Sequence, residues 1–348
     1  MGGIVETLRV SAAADVPPGD QRRLEGTLLA HAGRGECHLH LSTLRGELLA
    51  PGRFHPAPSG DEGAIWHRHT GGRAVAAGNG FLLATISLPQ RSALVATERL
   101  ALRPEQVINR CVRGLLAWLR GLGLDPSYPG LDWITVGGQR LAHLSFVETA
   151  TGPTLFQAIL GLDASLAEST LRLDRMDPDG HIPAALLMPD DCTTLRRLGG
   201  VARSGSQPAE HLGAIAAGYA STFGSGVEMT QVSEAADGAS PCADDLDTGP
   251  GPAVCDDAVR IEGKLGTVSA SLRVGDGRIQ EVQIGGDLIA RPDLPSELDA
   301  ALCGERAEAE PMRARIRACL DGQDQYLLGI GPDEVDSLFT RALTHSRP

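Results

Sequence analysis

Lysine is almost missing from this chain: of its 31 Lys and Arg residues one, Lys264, is a lysine. Any reaction that needs a lysine amine therefore has a single candidate. Aromatic residues are also scarce, at 3%, so the core must be built from Ala, Leu, Val and Ile. Positive charge is outweighed by a net −13, which excludes general nucleic-acid binding through clustered Lys and Arg. No apolar run approaches the roughly 18–20 residues needed to cross a bilayer. The stretch from Met1 to Val16 lacks a basic segment followed by an apolar one, which predicts no signal peptide and no membrane partner. The seven cysteines, Cys37, Cys111, Cys192, Cys242, Cys255, Cys303 and Cys319, contain no Cys-x-x-Cys pair. Scattered and odd in number, they predict reduced thiols in a cytoplasm and not a disulfide frame.

What is present is a chain of 348 residues, long enough for two domains and a substantial core. Apolar content of 42% and charged content of 22% are those of a soluble globular protein. The most informative stretch is Arg68-His69-Thr70-Gly71-Gly72-Arg73-Ala74, followed by Val75-Ala76-Ala77-Gly78-Asn79. Glycine lets main-chain N–H groups approach an anion with no Cβ in the way. Arginine adds a planar, permanently charged fork for the same oxygens. The candidate binding residues are Arg68, Thr70, Gly71, Gly72, Arg73, Ala74, Gly78 and Asn79, with an acyl phosphate or nucleotide as ligand.

Helical spacing predicts helices over Asp20 to Ala32, Pro104 to Leu122 and Gln207 to Phe223. In the second of these Val107, Ile108, Cys111, Val112, Leu115 and Leu119 share one face. Strands are predicted at Cys37 to Leu44, Phe81 to Leu88 and Thr154 to Leu162. Trp133 to Val136 and Gln139 to Phe146 form a hairpin across Gly137-Gly138. From Val232 to Ala258 the composition turns to Gly, Pro, Asp, Ala and Ser, which reads as a linker. Beyond it, Thr267 to Val274 and Arg278 to Ile284 form a second hairpin, followed by helices at Ser296 to Leu302, Glu308 to Leu320 and Pro332 to Leu343.

In this order the motifs resemble the lipoate–protein ligase branch of the biotin/lipoate ligase superfamily. The helix with Asp20-Gln21-Arg22-Arg23-Leu24-Glu25 resembles the opening helix, and Pro51-Gly52-Arg53-Phe54 the Gly-Arg segment after the first strands. Arg68 to Val75 resembles the Arg-x-Ser/Thr-Gly-Gly-x-Ala-Val motif that precedes a Gly-Asn pair. Asp132 to Arg140 resembles the Asn-Asp-Ile-x-Val-x-Gly-x-Lys hairpin. Gly263-Lys264-Leu265, Gly275-Asp276-Gly277 and Gly286-Asp287 resemble the small accessory domain.

The resemblance implies an α+β, class II synthetase-like catalytic domain over residues 1–230. A linker over 231–258 and an α+β accessory domain over 259–348 complete the chain. It further implies an ATP-dependent ligase with Mg2+ and lipoate. Lipoyl-AMP would form, and the acyl group would pass to a lysine of a lipoyl-acceptor domain protein. Leu82, Leu83 and Ile134 would line an apolar tunnel for the lipoyl tail.

The chain also departs from that pattern. Arg140 stands where the family has its lysine, and arginine differs from it in reach and geometry. Asp132-Trp133 replaces the Asn-Asp pair, His143 falls near the glycine that follows the lysine, and two residues are missing between Val75 and Gly78. Either Arg140 takes over catalysis, with Lys264 reaching in from the accessory domain, or adenylation is lost. In the second case the protein binds an acyl cofactor or partners an active ligase.

A third route, a cysteine-based octanoyl or lipoyl transferase, finds Cys111 on a core face and no positioned base for Cys37 or Cys192. His38 and His40 share one strand face, with no third metal ligand evident. His67 and His69 border the anion site, and Asp190-Asp191 reads as a solvated turn.

Overall fold

The computed structural model of the chain describes residues 6–56, 64–94, 103–180, 182, 187–199, 207–223, 228–231, 257–321 and 326–346. The chain enters on β1 (Thr7–Val16), passes through α1 (Pro18–Gly33) and returns as β2 (Cys37–Leu44), parallel to β1. Helix α1 begins where Pro18 fixes its first turn. Gln21, Glu25, Leu28, Leu29 and Ala32 then recur on one buried stripe. Two short strands, β3 (Glu47–Ala50) and β4 (Val75–Gly78), pair as a separate ribbon. The glycine motif leads directly into β4, so its last residues are strand.

Strand β5 (Phe81–Leu88) pairs antiparallel with β2, and α2 (Pro104–Gly121) follows. Next come β6 (Pro126–Ser127), β7 (Trp133–Val136), β8 (Gln139–Glu148), β9 (Thr154–Gly161), α3 (Glu168–Met176), α4 (Pro208–Phe223) and β10 (Glu228–Gln231). Among the described residues eight strands make one sheet, in the order β10-β1-β2-β5-β9-β8-β7-β6. The pairings of β1 with β2 and with β10 are parallel and the others antiparallel. Helices α2 and α4 cover one face, burying Val107, Cys111, Leu115, Ile215 and Tyr219 against Leu39, Leu82, Ile134 and Phe156. On the other face α1 sets Leu28 and Leu29 against Val147 and Leu155.

A second unit contains β11 (Val259–Glu262), β12 (Thr267–Gly275), β13 (Arg278–Gly286), α5 (Leu294–Leu302), α6 (Ala309–Leu320) and α7 (Pro332–His345). Its strands form a three-stranded antiparallel sheet, packed by Leu298, Met312, Ile316, Val335 and Phe339. The two cores exchange residues at their junction. Phe54 of the first unit is buried in the second core, while Leu265, Ile289 and Leu328 join the first.

Strands β1, β3, β4, β6, β10 and β11 and helix α3 go beyond the elements read from the sequence. Most of the segment read as a linker, 232–256, lies outside the described residues, as do Cys242 and Cys255.

Candidate functional site

The glycine motif is threaded between three backbones. Arg53 N–H donates to Thr70 O at 2.9 Å and Arg68 N–H to Pro51 O at 3.2 Å, which lays 51–53 alongside it. On the sheet side Gly71 N–H donates to Phe146 O of β8 at 3.3 Å, and on the second unit Gly72 N–H donates to Leu288 O at 2.7 Å. The absence of Cβ atoms is what permits this approach. A Cβ on Gly71 would stand 2.4 Å from Leu288 O, and one on Gly52 2.2 Å from Gly72 O. Both N–H groups expected to hold an anion are therefore donated within the protein.

Beneath the loop lies a buried polar chain. Arg68 Nη1 donates to Ser145 Oγ at 2.7 Å, Ser145 Oγ to Thr70 Oγ1 at 2.9 Å, and Thr70 Oγ1 to Gln157 Oε1 at 2.8 Å. Gln157 Nε2 donates to Glu25 Oε1 at 2.8 Å, and Glu25 Oε2 accepts the His69 N–H at 3.1 Å. Arg68 Nη2 donates to the Arg73 carbonyl. Burial lowers the Arg68 guanidinium to about 10, while Glu25, Asp287 and Asp132 oppose the shift. Burial raises Glu25 to about 7 against the His69 and Gln157 hydrogen bonds and the Arg68 charge.

The hairpin of β7 and β8 supplies a second cluster. Arg73 Nε donates to Asp132 Oδ2 at 2.6 Å, and His143 Nε2 lies 3.6 Å from the same oxygen. Trp133 is flanked by two guanidinium groups and an imidazole: the Arg73 and Arg140 guanidinium carbons lie 5.5 and 5.2 Å from its ring, and His143 meets it edge-on at 5.3 Å. Burial raises Asp132 to about 6 despite Arg73. It also holds His143 far below its ordinary value, with help from Arg68 and Arg73, so the imidazole is neutral. Both His143 nitrogens, Asp132 Oδ1 and Arg68 Nε are buried without a hydrogen-bond partner. His143 packs 3.6 Å from the position a Cβ on Gly72 would take, and Ser145, which accepts from Arg68 Nη1, flanks the same point.

The second unit adds Asp287. Its Oδ1 lies 3.1 Å from His55 Nε2 and its Oδ2 accepts the Thr267 N–H at 2.9 Å. Arg73 reaches the same turn, its Nη1 lying 3.1 Å from where a Cβ on Gly266 would be. Buried His55 and Asp287 were not foreseen as a pair.

The structure thus brings Arg68, Thr70, Gly71, Gly72 and Arg73 together and uses Gly78, Asn79 and Ala74 elsewhere. Asn79 N–H donates to Gly46 O at 2.7 Å, and Asn79 Oδ1 accepts the Gly46 N–H at 3.1 Å, closing the β3–β4 ribbon. Ala74 packs with Leu49, Leu173 and Ile182. Arg140 lies over Trp133 with Nη1 3.6 Å from Asp191 Oδ2. The Lys264 side chain is exposed, and its N–H donates to Gly329 O at 2.7 Å. Leu82 and Ile134 sit in the main core and Leu83 in a different cluster with Trp66 and Phe81. Burial pushes up the thiols of Cys37, Cys111 and Cys192, which opposes a thiolate nucleophile.

Glu25 was readable in advance: with Gln21, Leu28, Leu29 and Ala32 it falls on one helical stripe, so an acid was destined for the buried face. Ser145 and Gln157 carried a weaker signal, as polar residues within apolar strands.

This architecture, with a mostly antiparallel sheet, a glycine motif against it and a small second unit, is the biotin/lipoate ligase fold. No protein-family model matches the chain, and no curated protein matches it in sequence. Among solved structures it resembles P. falciparum LipL1 in complex with lipoate, at 12% identity and a TM-score of 0.62, covering 96% of this chain and 99% of that one. It also matches a bi-partite lipoate protein ligase from Thermoplasma acidophilum, at 14% identity and a TM-score of 0.43, covering 67% and 89%.

Proposed function

We propose that this protein uses a ligase fold to bind a carboxylate-bearing acyl ligand such as lipoate without activating it as an adenylate. It would act as an acyl-binding relative of the ligases or as a partner of an active one. The observation that carries this reading is the internal use of the cradle: the N–H groups of Gly71 and Gly72 are spent on Phe146 and Leu288. An acyl-adenylate needs such donors free for its phosphate. Magnesium would need oxygen ligands. The hairpin offers Asp132, whose Oδ2 is bound to Arg73 and whose Oδ1 has no hydrogen-bond partner, with the indole of Trp133 beside it. A single carboxylate already paired to a guanidinium is a poor fit for Mg2+-ATP.

The unpartnered donors Arg68 Nε and His143 match a carboxylate, which accepts at both oxygens. In a buried site such charge-assisted bonds hold a carboxyl head firmly. Isothermal titration with lipoate and octanoate is expected to show binding that His143→Leu abolishes in a folded protein. With ATP, Mg2+ and lipoate, mass spectrometry is expected to find no lipoyl-AMP and radiochemistry no lipoate-dependent pyrophosphate exchange.

One observation favours the alternative, an ATP-dependent lipoate–protein ligase that lipoylates a lysine of an acceptor domain. The fold match to the lipoate-bound ligase extends over both units. Under that reading Arg140 stands in for the family lysine and Lys264 assists. Lipoyl-AMP formation that Arg140→Ala abolishes would establish it and overturn the binding-only reading.

A further inference from the structure

Away from the glycine motif, the end of α1 and the start of β2 bring together two histidines and a glutamate. His31 Nδ1 and His38 Nε2 each lie 2.9 Å from one oxygen of Glu36, Oε2. All three ligand atoms fall within 4.8 Å of one another. His31 and His38 are buried and Glu36 is half-buried. The backbone fixes the turn between them, since the N–H groups of Arg34 and Glu36 both donate to His31 O, at 3.0 and 3.1 Å. His40, the histidine that shares a strand face with His38, is turned to Ser11, with Nδ1 2.8 Å from the hydroxyl. The imidazole that faces His38 is thus that of His31 on the helix, with ring centroids 4.6 Å apart, and not that of His40 on its own strand.

We propose that His31, Glu36 and His38 form a binding site for a divalent transition-metal cation, zinc being the best fit. Two imidazoles and one carboxylate are a borderline donor set that suits zinc, with a water completing four-coordination. Donors about 2.1 Å from a tetrahedral ion stand roughly 3.4 Å apart. The two contacts at 2.9 Å would open by about half an ångström to admit one, with the two imidazole nitrogens, now within 4.8 Å of each other, settling to a like separation.

The hydrogen bonding of the cluster points the same way. His31 Nδ1 lies 2.9 Å from Glu36 Oε2 and 2.7 Å from Arg34 Nη2. One ring nitrogen carries either a proton or a lone pair, so it cannot donate to Glu36 and accept from Arg34 at once. A bound cation removes the conflict, because the lone pair and the carboxylate both turn to the metal. Two cations already face the carboxylate, Arg9 with Nε 3.3 Å from the same Oε2 and Arg34 with Nε 3.9 Å from Oε1; their side chains are 42% and 49% exposed, so both can turn to solvent as a metal enters. Such a clip would pin the last turn of α1, the helix whose Glu25 holds the glycine motif from below.

The test is a titration of the untagged full chain, dialysed against chelator, with Zn2+ by calorimetry and with Co2+ by visible absorption. One-to-one binding is expected, with a tetrahedral Co2+ spectrum and a thermal midpoint raised by Zn2+. His31→Gln and His38→Gln should each weaken binding roughly tenfold or more. Arg34→Gln, at a half-exposed position that leaves the fold intact, should strengthen it by removing a competing cation. Absence of saturable Zn2+ binding, or binding unchanged in folded His38→Gln and Arg34→Gln, would overturn the site.

Discussion

The backbone N–H of Gly72 donates to the carbonyl of Leu288 over 2.7 Å, fastening the glycine motif to the second unit. A Cβ on the preceding Gly71 would stand 2.4 Å from that same oxygen and 3.0 Å from Ile289 Cα. Both obstacles are backbone, so no rotamer change relieves them. Gly71→Ala is therefore expected to prise the second unit from the sheet at a cost of about 2–4 kcal/mol. The thermal midpoint should fall by several degrees and proteases should cut faster between the units. A midpoint equal to that of the wild type would show that the contact is not held.

Glu25 gives the fold a signed pH dependence. Burial raises its carboxyl from 4.5 to about 7, so the folded state favours the protonated acid. Its contribution to stability is complete below about pH 4.5 and is lost as pH rises through about 7. Glu25→Gln keeps an acceptor for His69 N–H and cannot ionise. Measured by chemical denaturation, its stability relative to the wild type should improve from pH 4.5 to 7.5, by roughly 1–3 kcal/mol. A constant difference across that range would mean that Glu25 titrates normally.

The same residue shows how far the sequence carries. A stripe of Gln21, Glu25, Leu28, Leu29 and Ala32 announces both helix α1 and the face that it buries. The continuous apolar run that opens β5 and the Gly137-Gly138 turn announce the sheet in the same way, since both are local. Strand β1 was opaque because Ser11-Ala12-Ala13-Ala14 offers little apolar contrast. Its place comes from pairing with β2, where Leu8 lies opposite Cys37. The glycine motif was legible as a place of close backbone approach. What approaches it was not, because Phe146 and Leu288 lie far along the chain and act through carbonyls that every residue carries. Likewise His31 and His38 meet only once α1 has turned into β2.

Arg73 and Asp132 offer a test of how the hairpin cluster is held. The guanidinium side chain is 13% exposed and the carboxylate 0%, with Nε and Oδ2 2.6 Å apart. Removing one partner of such a pair leaves a buried charge uncompensated. Arg73→Met is expected to cost about 3–5 kcal/mol near neutral pH. Asp132→Asn should cost less, because an amide is neutral and Arg73 keeps a path to solvent. The double variant should recover a good part of the loss, with a coupling of about 1–3 kcal/mol in a double-mutant cycle. Acid should narrow the Arg73→Met deficit. Burial already raises Asp132 to about 6, and Arg73 is the charge that opposes that rise. Without it the carboxyl protonates at still higher pH, and below that point there is no charge left to strand. Strictly additive losses, or a deficit that grows on acidification, would show that Arg73 stabilises the hairpin by packing on Trp133 and not by neutralising Asp132.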